Sequence, residues 1–351
     1  MDTRYSPEQL ELRSATAALL ADLGPRTVAD LDDDGRRARL TRAAESSGWY
    51  DLRGPGDDDG PLASGVEIAI VARELGRVAA DTPFFGPVTA ADLARQAGLP
   101  LGEGVRSVVL HPSLRDFAVL PVDVAEGVAV DCAGAGRALM LADDKVVDVA
   151  IGIPTPATDL TRALAPLAAR AATDARNGAL IAEAAVERSR ALALTITIAD
   201  LIGAMEGALG TTCGYAQERQ QYGVAIGSFQ AVQHLLAEAR VLVEGAISVA
   251  EYAAWAVDAL QPEDAMEAGS VAKAYCARAA RTVCETAIQV HGGIGNTWEC
   301  FVHVYLRRVL LSSALLGDEG HHLRALARRR LGYDRGPVSY THLTLPTIYS
   351  V

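Results

Sequence analysis

Two glycine-punctuated segments carry the residues best suited to chemistry. The first is Arg219-Gln220-Gln221-Tyr222-Gly223, followed by Ile226-Gly227-Ser228-Phe229-Gln230. A helix should end just before it and a new one should start near Ser228, with first N–H groups that have no partner inside the helix. An arginine at one end and free helix amides at the other could cradle a pyrophosphate. Gln230 can both donate to and accept from a heterocycle or a ribitol chain. An ordinary turn between helices would use the same residues, and the spacing leaves both readings open. The second segment, Gln289-Val290-His291-Gly292-Gly293-Ile294-Gly295, has three glycines in four residues. Such a run permits positive φ and a close backbone approach to a ligand, although a tight helix–helix turn would need the same glycines. It is not the fingerprint of a strand–turn–helix dinucleotide site, because no strand precedes it and the spacing fails. Gly134-Ala135-Gly136 fails too, since Leu139 stands where the third glycine should be. A third segment, Val71-Ala72-Arg73-Glu74-Leu75-Gly76-Arg77, leads to Thr82-Pro83-Phe84 and by itself reads as an amphipathic helix end.

Long helices must position these segments. Ser6-Pro7-Glu8-Gln9 has the form of a capping box with proline at the first helical position, and Leu12, Ala15, Leu19 and Leu23 continue the stripe until Gly24-Pro25 stops it. Further helices are expected over 35–45, 64–80 and 89–97. Between 105 and 153 the runs turn short and valine-rich, as in Val108-Val109-Leu110, which reads as a small β unit. Helices are expected again over 228–260, 264–290 and 298–316. In the first of these, Phe229, Val232, Leu236, Ala239, Val243, Ala246 and Ala250 form the expected buried stripe, and Glu244, Glu251 and Asp258 a solvated edge. The layout is an α+β protein, mostly α, with helical residues 1–103, a reduced β unit over 104–180 and a helical bundle over 181–337. No repeat of 20–50 residues is present.

Composition narrows the function further. The net charge of −12 argues against nucleic acid as the main partner. Five cysteines, none in a C-x-x-C pair, suit a reducing cytoplasm better than a disulfide framework or a metal site. No basic stretch followed by an apolar run marks a signal peptide, and no charge-free apolar run of ~20 residues marks a membrane span. Residues 338–351 break the preceding charge pattern and resemble the translation of a sequencing adapter, so they are excluded from fold reasoning.

Taken together, in this order and at this spacing, the three segments resemble the acyl-CoA dehydrogenase family over residues 5–335. The stretch from Gly48-Trp49 to Pro83 resembles its N-terminal helical domain. Arg219 to Gln230, preceded by Tyr215-Ala216, resembles its flavin-binding turn, and Gln289 to Gly295 resembles the segment that a neighbouring subunit adds to the same flavin. The resemblance implies a helical N-domain, a small β-domain and a four-helix C-domain, assembled as a homo- or hetero-oligomer that binds FAD. Carried over, Arg219, Tyr222 and Gln230 contact FAD, with Tyr222 where the family usually has Phe. Gln289, Gly292 and Gly293 contact the partner's FAD, and His291 is structural. The implied reaction removes the α-proton of an acyl-CoA with a glutamate while the β-hydride goes to flavin, and the electrons pass to an electron-transfer flavoprotein.

The sequence departs from the family where that glutamate belongs. Counting from Tyr305, one base position is Leu315; counting back from Arg219, the other falls near Ala193. Glu319 could serve only if an extra helical turn is inserted after Tyr305, while Glu299 and Asp318 read as surface charges. The family's Thr-Glu-Pro and Trp-Ile-Thr stretches are missing between 104 and 178. Their only echo, Asp159-Leu160-Thr161-Arg162, reads as a helix cap. Three readings follow: a subunit that lends flavin contacts to a chain carrying the base, a complete enzyme using Glu319, or a flavin-free scaffold.

Overall fold

The computed structural model describes residues 4–56, 60–120, 127–155, 157–169 and 178–332, so the tail over 338–351 lies outside the described residues. The chain opens with helices α1 (Pro7–Leu23), α2 (Asp34–Ser46), α3 (Gly65–Arg77) and α4 (Phe85–Ala97). Both capping boxes form: Ser6 with Gln9 starts α1, and Ser64 with Glu67 starts α3. Helix α4 begins four residues earlier than the expected 89. Its cap comes from far along the chain, because the Asp131 carboxylate accepts from Phe84 N at 2.7 Å and Phe85 N at 2.9 Å. Pro87 falls in the first turn, where no N–H is needed.

The β unit holds β1 (Arg106–Leu110), β2 (Val119–Leu120), β3 (Val128–Val130), β4 (Arg137–Ala142), β5 (Lys145–Ala150), β6 (Leu164–Pro166) and β7 (Gly178–Leu180). Their order is β6-β3-β1-β4-β5-β7, with β2 paired to β4. Most neighbours are antiparallel, but β1 and β4 run parallel, with Val108 opposite Leu139. Helix α4 covers one face of this sheet and joins its apolar residues to the main core.

The remaining helices form the bundle: α5 (Glu183–Glu218), α6 (Gln230–Ala259), α7 (Pro262–His291), α8 (Val302–Ala314) and α9 (Glu319–Leu331). The last expected helix, 298–316, proves shorter. Leu316 and Gly317 adopt positive φ and break it, and Asp318 then caps α9. By length and composition α5 could cross a membrane, yet 89% of its most apolar window is buried by the rest of the chain. The apolar stripe of α6 is buried only from Ala239 onward. Phe229 is 37% exposed, because the first turns of α6 project at an open end of the bundle. Asp258 stays exposed, as a solvated edge requires, yet it is not free. It pairs at 3.1 Å with the fully buried Arg53, which also holds Asp92 at 3.0 Å, and it accepts from Gly65 N. That knot ties the α2–α3 loop to α4 and α6.

Helix α3 lies unusually close to α5. A Cβ on Gly203 would stand 2.0 Å from the Arg73 carbonyl oxygen, and one on Gly207 would stand 2.1 Å from that of Arg77. Only glycine admits this contact, and Tyr305 locks it by donating to Arg77 O at 3.0 Å. Gly203→Ala should therefore force the helices apart and cost about 2–3 kcal/mol, read as a lower urea midpoint with unchanged slope.

Candidate functional site

The open end of the bundle carries the first glycine-punctuated segment. After α5, strands β8 (Gln220–Gln221) and β9 (Val224–Ala225) close a hairpin. Tyr222 and Gly223 form its tip at φ +53 and +78. Tyr222 is 94% exposed and meets the Phe229 ring edge-on at 6.3 Å. A single 3-10 turn, Ile226–Ser228, then leads into α6, whose N-cap Phe229 provides no side-chain hydrogen bond. The first amides of α6 thus face outward, beside the exposed Arg219 and Gln230.

The second segment stands next to the first. Helix α7 ends at His291, and Gly292 turns the chain at φ +66. Nothing lies within 4 Å of a Cβ built on Gly292 or Gly293, so a ligand could approach the backbone there. His291 is buried. Its ring stacks on Tyr215, one turn before Arg219, with centroids 4.3 Å apart, and its Nδ1 meets Ala287 O at 2.8 Å. This stack brings Arg219, Tyr222 and Gln230 to the same end of one chain as Gln289, Gly292 and Gly293. A dinucleotide fits these turns, which offer an arginine, an uncapped helix start and open glycine backbone to a pyrophosphate.

The two positions where the resemblance would place a base lie elsewhere. Ala193 and Leu315 are fully buried at 0% exposure. Ala193 precedes Arg219 by 26 residues of α5, roughly 40 Å along the axis. Glu319 is bound to Arg278 at 2.7 Å on the surface, at the first turn of α9. Arg278 in turn stands 13 residues before His291 on α7, roughly 20 Å from the glycine turn. Asp318 caps α9 through His321 N at 2.7 Å, and Glu299 is exposed.

The junction of the N-terminal helices, the β unit and the bundle holds a buried charge knot. Asp200 of α5 accepts from Arg308 Nε at 2.8 Å and from Ser312 Oγ at 2.7 Å, and it pairs with Arg162 Nη2 at 2.8 Å. Arg308 also reaches Ala80 O and Thr161 Oγ1, at 2.8 and 2.6 Å. The stretch Asp159 to Arg162 is therefore not a helix cap. Asp159 folds back onto Thr161 N and Oγ1, and this turn drives Arg162 into the knot. Asp159 Oδ2 and Arg162 Nε have no hydrogen-bond partner, although the two groups pair at 3.6 Å. Burial pushes the Asp200 carboxyl up, but Arg162 and then Arg308 together outweigh it and hold it down to about 2.

Beside the knot, Lys273 of α7 is fully buried. Its Nζ donates to Ser312 O at 2.5 Å and Leu315 O at 2.7 Å, so it ties down the end of α8. Burial pushes its ammonium down to about 7. The sequence reading missed both groups. The available signals were a lone Asp inside the apolar run 191–205 and one of only two lysines lying within the alanine-rich stripe of α7.

Comparison with known proteins gives a consistent picture. Residues 176–331 match the family described as acyl-CoA dehydrogenase, C-terminal domain. Acyl-CoA dehydrogenase FadE34 of Mycobacterium tuberculosis is 32% identical over 303 residues, which span 82% of this chain but only 42% of that protein. Acyl-CoA dehydrogenase IpdE2 of the same organism is 30% identical over 325 residues, 91% of this chain and 96% of the relative. Among solved structures, the ChsE4-ChsE5 complex from Mycobacterium tuberculosis shares the fold with a TM-score of 0.73. The match covers 96% of this chain and 100% of that one at 22% identity.

The knot and Lys273 generate two stability tests. Asp200→Ala leaves the buried Arg308 without its ion pair and Arg162 with only its 3.6 Å pairing to Asp159, and should cost about 3–5 kcal/mol in chemical denaturation. The folded pKa of Lys273 lies below its ordinary 10.5. The unfolded chain thus binds more protons above pH 7, and this lysine contributes stability that increases with pH. Lys273→Met should remove a slope of up to about 1.4 kcal/mol per pH unit between pH 7 and 9.

Proposed function

The chain belongs to the acyl-CoA dehydrogenase family, and from that premise we propose that it is a flavin-holding subunit which completes the active site of a second chain carrying the base. One observation carries this reading. Both positions that hold the family's glutamate are filled by buried apolar residues, while both turns suited to a dinucleotide stand open at the far end of the same bundle. With roughly 40 Å of α5 between them, the turns serve a different site from the one Ala193 would have lined.

In this proposal Arg219 and the first amides of α6 bind the FAD pyrophosphate, Gln230 and Tyr222 orient the neighbouring part of the cofactor, and Gln289, Gly292 and Gly293 receive it from the other side. FAD supplies the hydride acceptor for α,β-dehydrogenation of an acyl-CoA. The partner chain contributes the carboxylate that takes the α-proton, because among the described residues the junction carboxylates Asp200 and Asp159 are bound to Arg162 and Arg308. Electrons then leave for an electron-transfer flavoprotein in the cytoplasm. Two features support the heteromer: the fold shared with a complex of two named chains, and an open end that presents exposed Tyr222, Val224 and Trp298.

Glu319 is the weaker assignment for a base. Its carboxylate is held by Arg278, and that surface pair turns it away from the junction. Glu319→Gln should therefore change turnover of the assembled enzyme by less than about two-fold. The deciding measurement is a visible spectrum of the chain alone and co-expressed with its encoded neighbouring homologue, before and after anaerobic acyl-CoA. A flavin band that bleaches only with the partner, and disappears in Arg219→Ala, is expected. Bleaching with this chain alone would overturn the shared site, and no band in either preparation would favour a scaffold.

A further inference from the structure

A cavity of about 620 Å³ opens between α1, α3, α5 and α6, within the ordinary range for small-molecule sites of about 300–1,000 Å³. It is separate from the family's chemistry. Ile202, on its wall, follows Ala193 by nine residues, two and a half turns of α5, and so faces the opposite side of that helix. Val66, Ala69, Ile247 and Trp255 make the rest of the wall largely apolar.

The polar groups around this cavity are nearly all engaged. Arg73 is held bidentately by Glu206, at 2.9 and 2.7 Å. The Gln9 amide donates to Glu67 at 2.6 Å, Ser6 and Ser64 serve their capping boxes, and Arg4 at the mouth has a partner of its own. Glu251 differs. It sits half-buried on the wall, and among the described residues no ion pair or side-chain hydrogen bond reaches its carboxylate. Burial pushes its carboxyl up, and Arg73 offsets part of that shift. A desolvated acceptor of this kind favours a ligand donor and repels a second anion.

We propose that this cavity binds a neutral, apolar small molecule, aliphatic or alicyclic, that presents one hydroxyl group to Glu251. Carboxylates of the same length are excluded by charge, so the site discriminates against free fatty acids. It is independent of the shared flavin site and stands whether or not that reading holds.

Titration of the full chain with 1-octanol and with octanoate, read by the emission of Trp255 against a Trp255→Phe background, tests this. Octanol should give a saturable change, and octanoate should bind at least about ten-fold more weakly. Glu251→Gln should narrow that gap to within about two-fold, and Ala250→Phe, which fills the cavity, should abolish the signal. No saturable response to octanol, or equal binding of the two ligands, would overturn the proposal. Should Ala250→Phe fail to fold by circular dichroism, the selectivity of Glu251→Gln decides alone. Binding that is lost on assembly with the partner chain would also overturn it, in favour of a groove covered by protein.

Discussion

A single buried carboxylate, Asp200, holds the three parts of this molecule in register. Two guanidinium groups converge on it, Arg162 from the segment between β5 and β6 and Arg308 from α8, while Arg308 also reaches back to the carbonyl of Ala80 behind α3. Burying such charges is unfavourable unless each is paired and hydrogen-bonded, so the knot forms only when all three regions are in place. Asp131 repeats the logic nearby by capping α4 from the sheet. Both contacts convert a helix–sheet–helix chain into one packed body.

The knot also explains the chemistry that this chain lacks. Its charged members are turned toward one another and so offer no free carboxylate. Lys273 closes the same region by binding the last carbonyls of α8, and the positions of interest are left to Leu315 and Ala193 in the core. What remains open is the far end of the bundle, where the Tyr215–His291 stack sets the two glycine turns side by side. A chain built this way is closed around the middle of α5 and receptive at its C-terminal end.

Much of the local architecture was legible beforehand. The two capping boxes, the glycine stops, the valine-rich sheet and the long bundle helices follow from spacing and residue type, because each depends on neighbours within a few positions. The errors share one cause. Helix α4 started early because its cap, Asp131, is 46 residues from Phe85. Asp258 is exposed as read, but its service to Arg53, 205 residues away, could not be read locally. Asp159 to Arg162 passed for a helix cap because its purpose is to deliver Arg162 to Asp200.

By itself, then, the sequence determined the helical segments, the two glycine-rich turns, the resemblance they carry and the absence of an acidic residue at 193 and 315. Those are statements about identity and order along the chain. Only the tertiary structure decided that the two turns meet at one end, that Glu319 is spent on Arg278, and that Asp200, Arg162, Arg308 and Lys273 share one buried site. Such facts depend on which residues, distant in sequence, are brought within about 3 Å, and on the desolvation that makes each unpaired charge unfavourable. Neither quantity is written in spacing or composition.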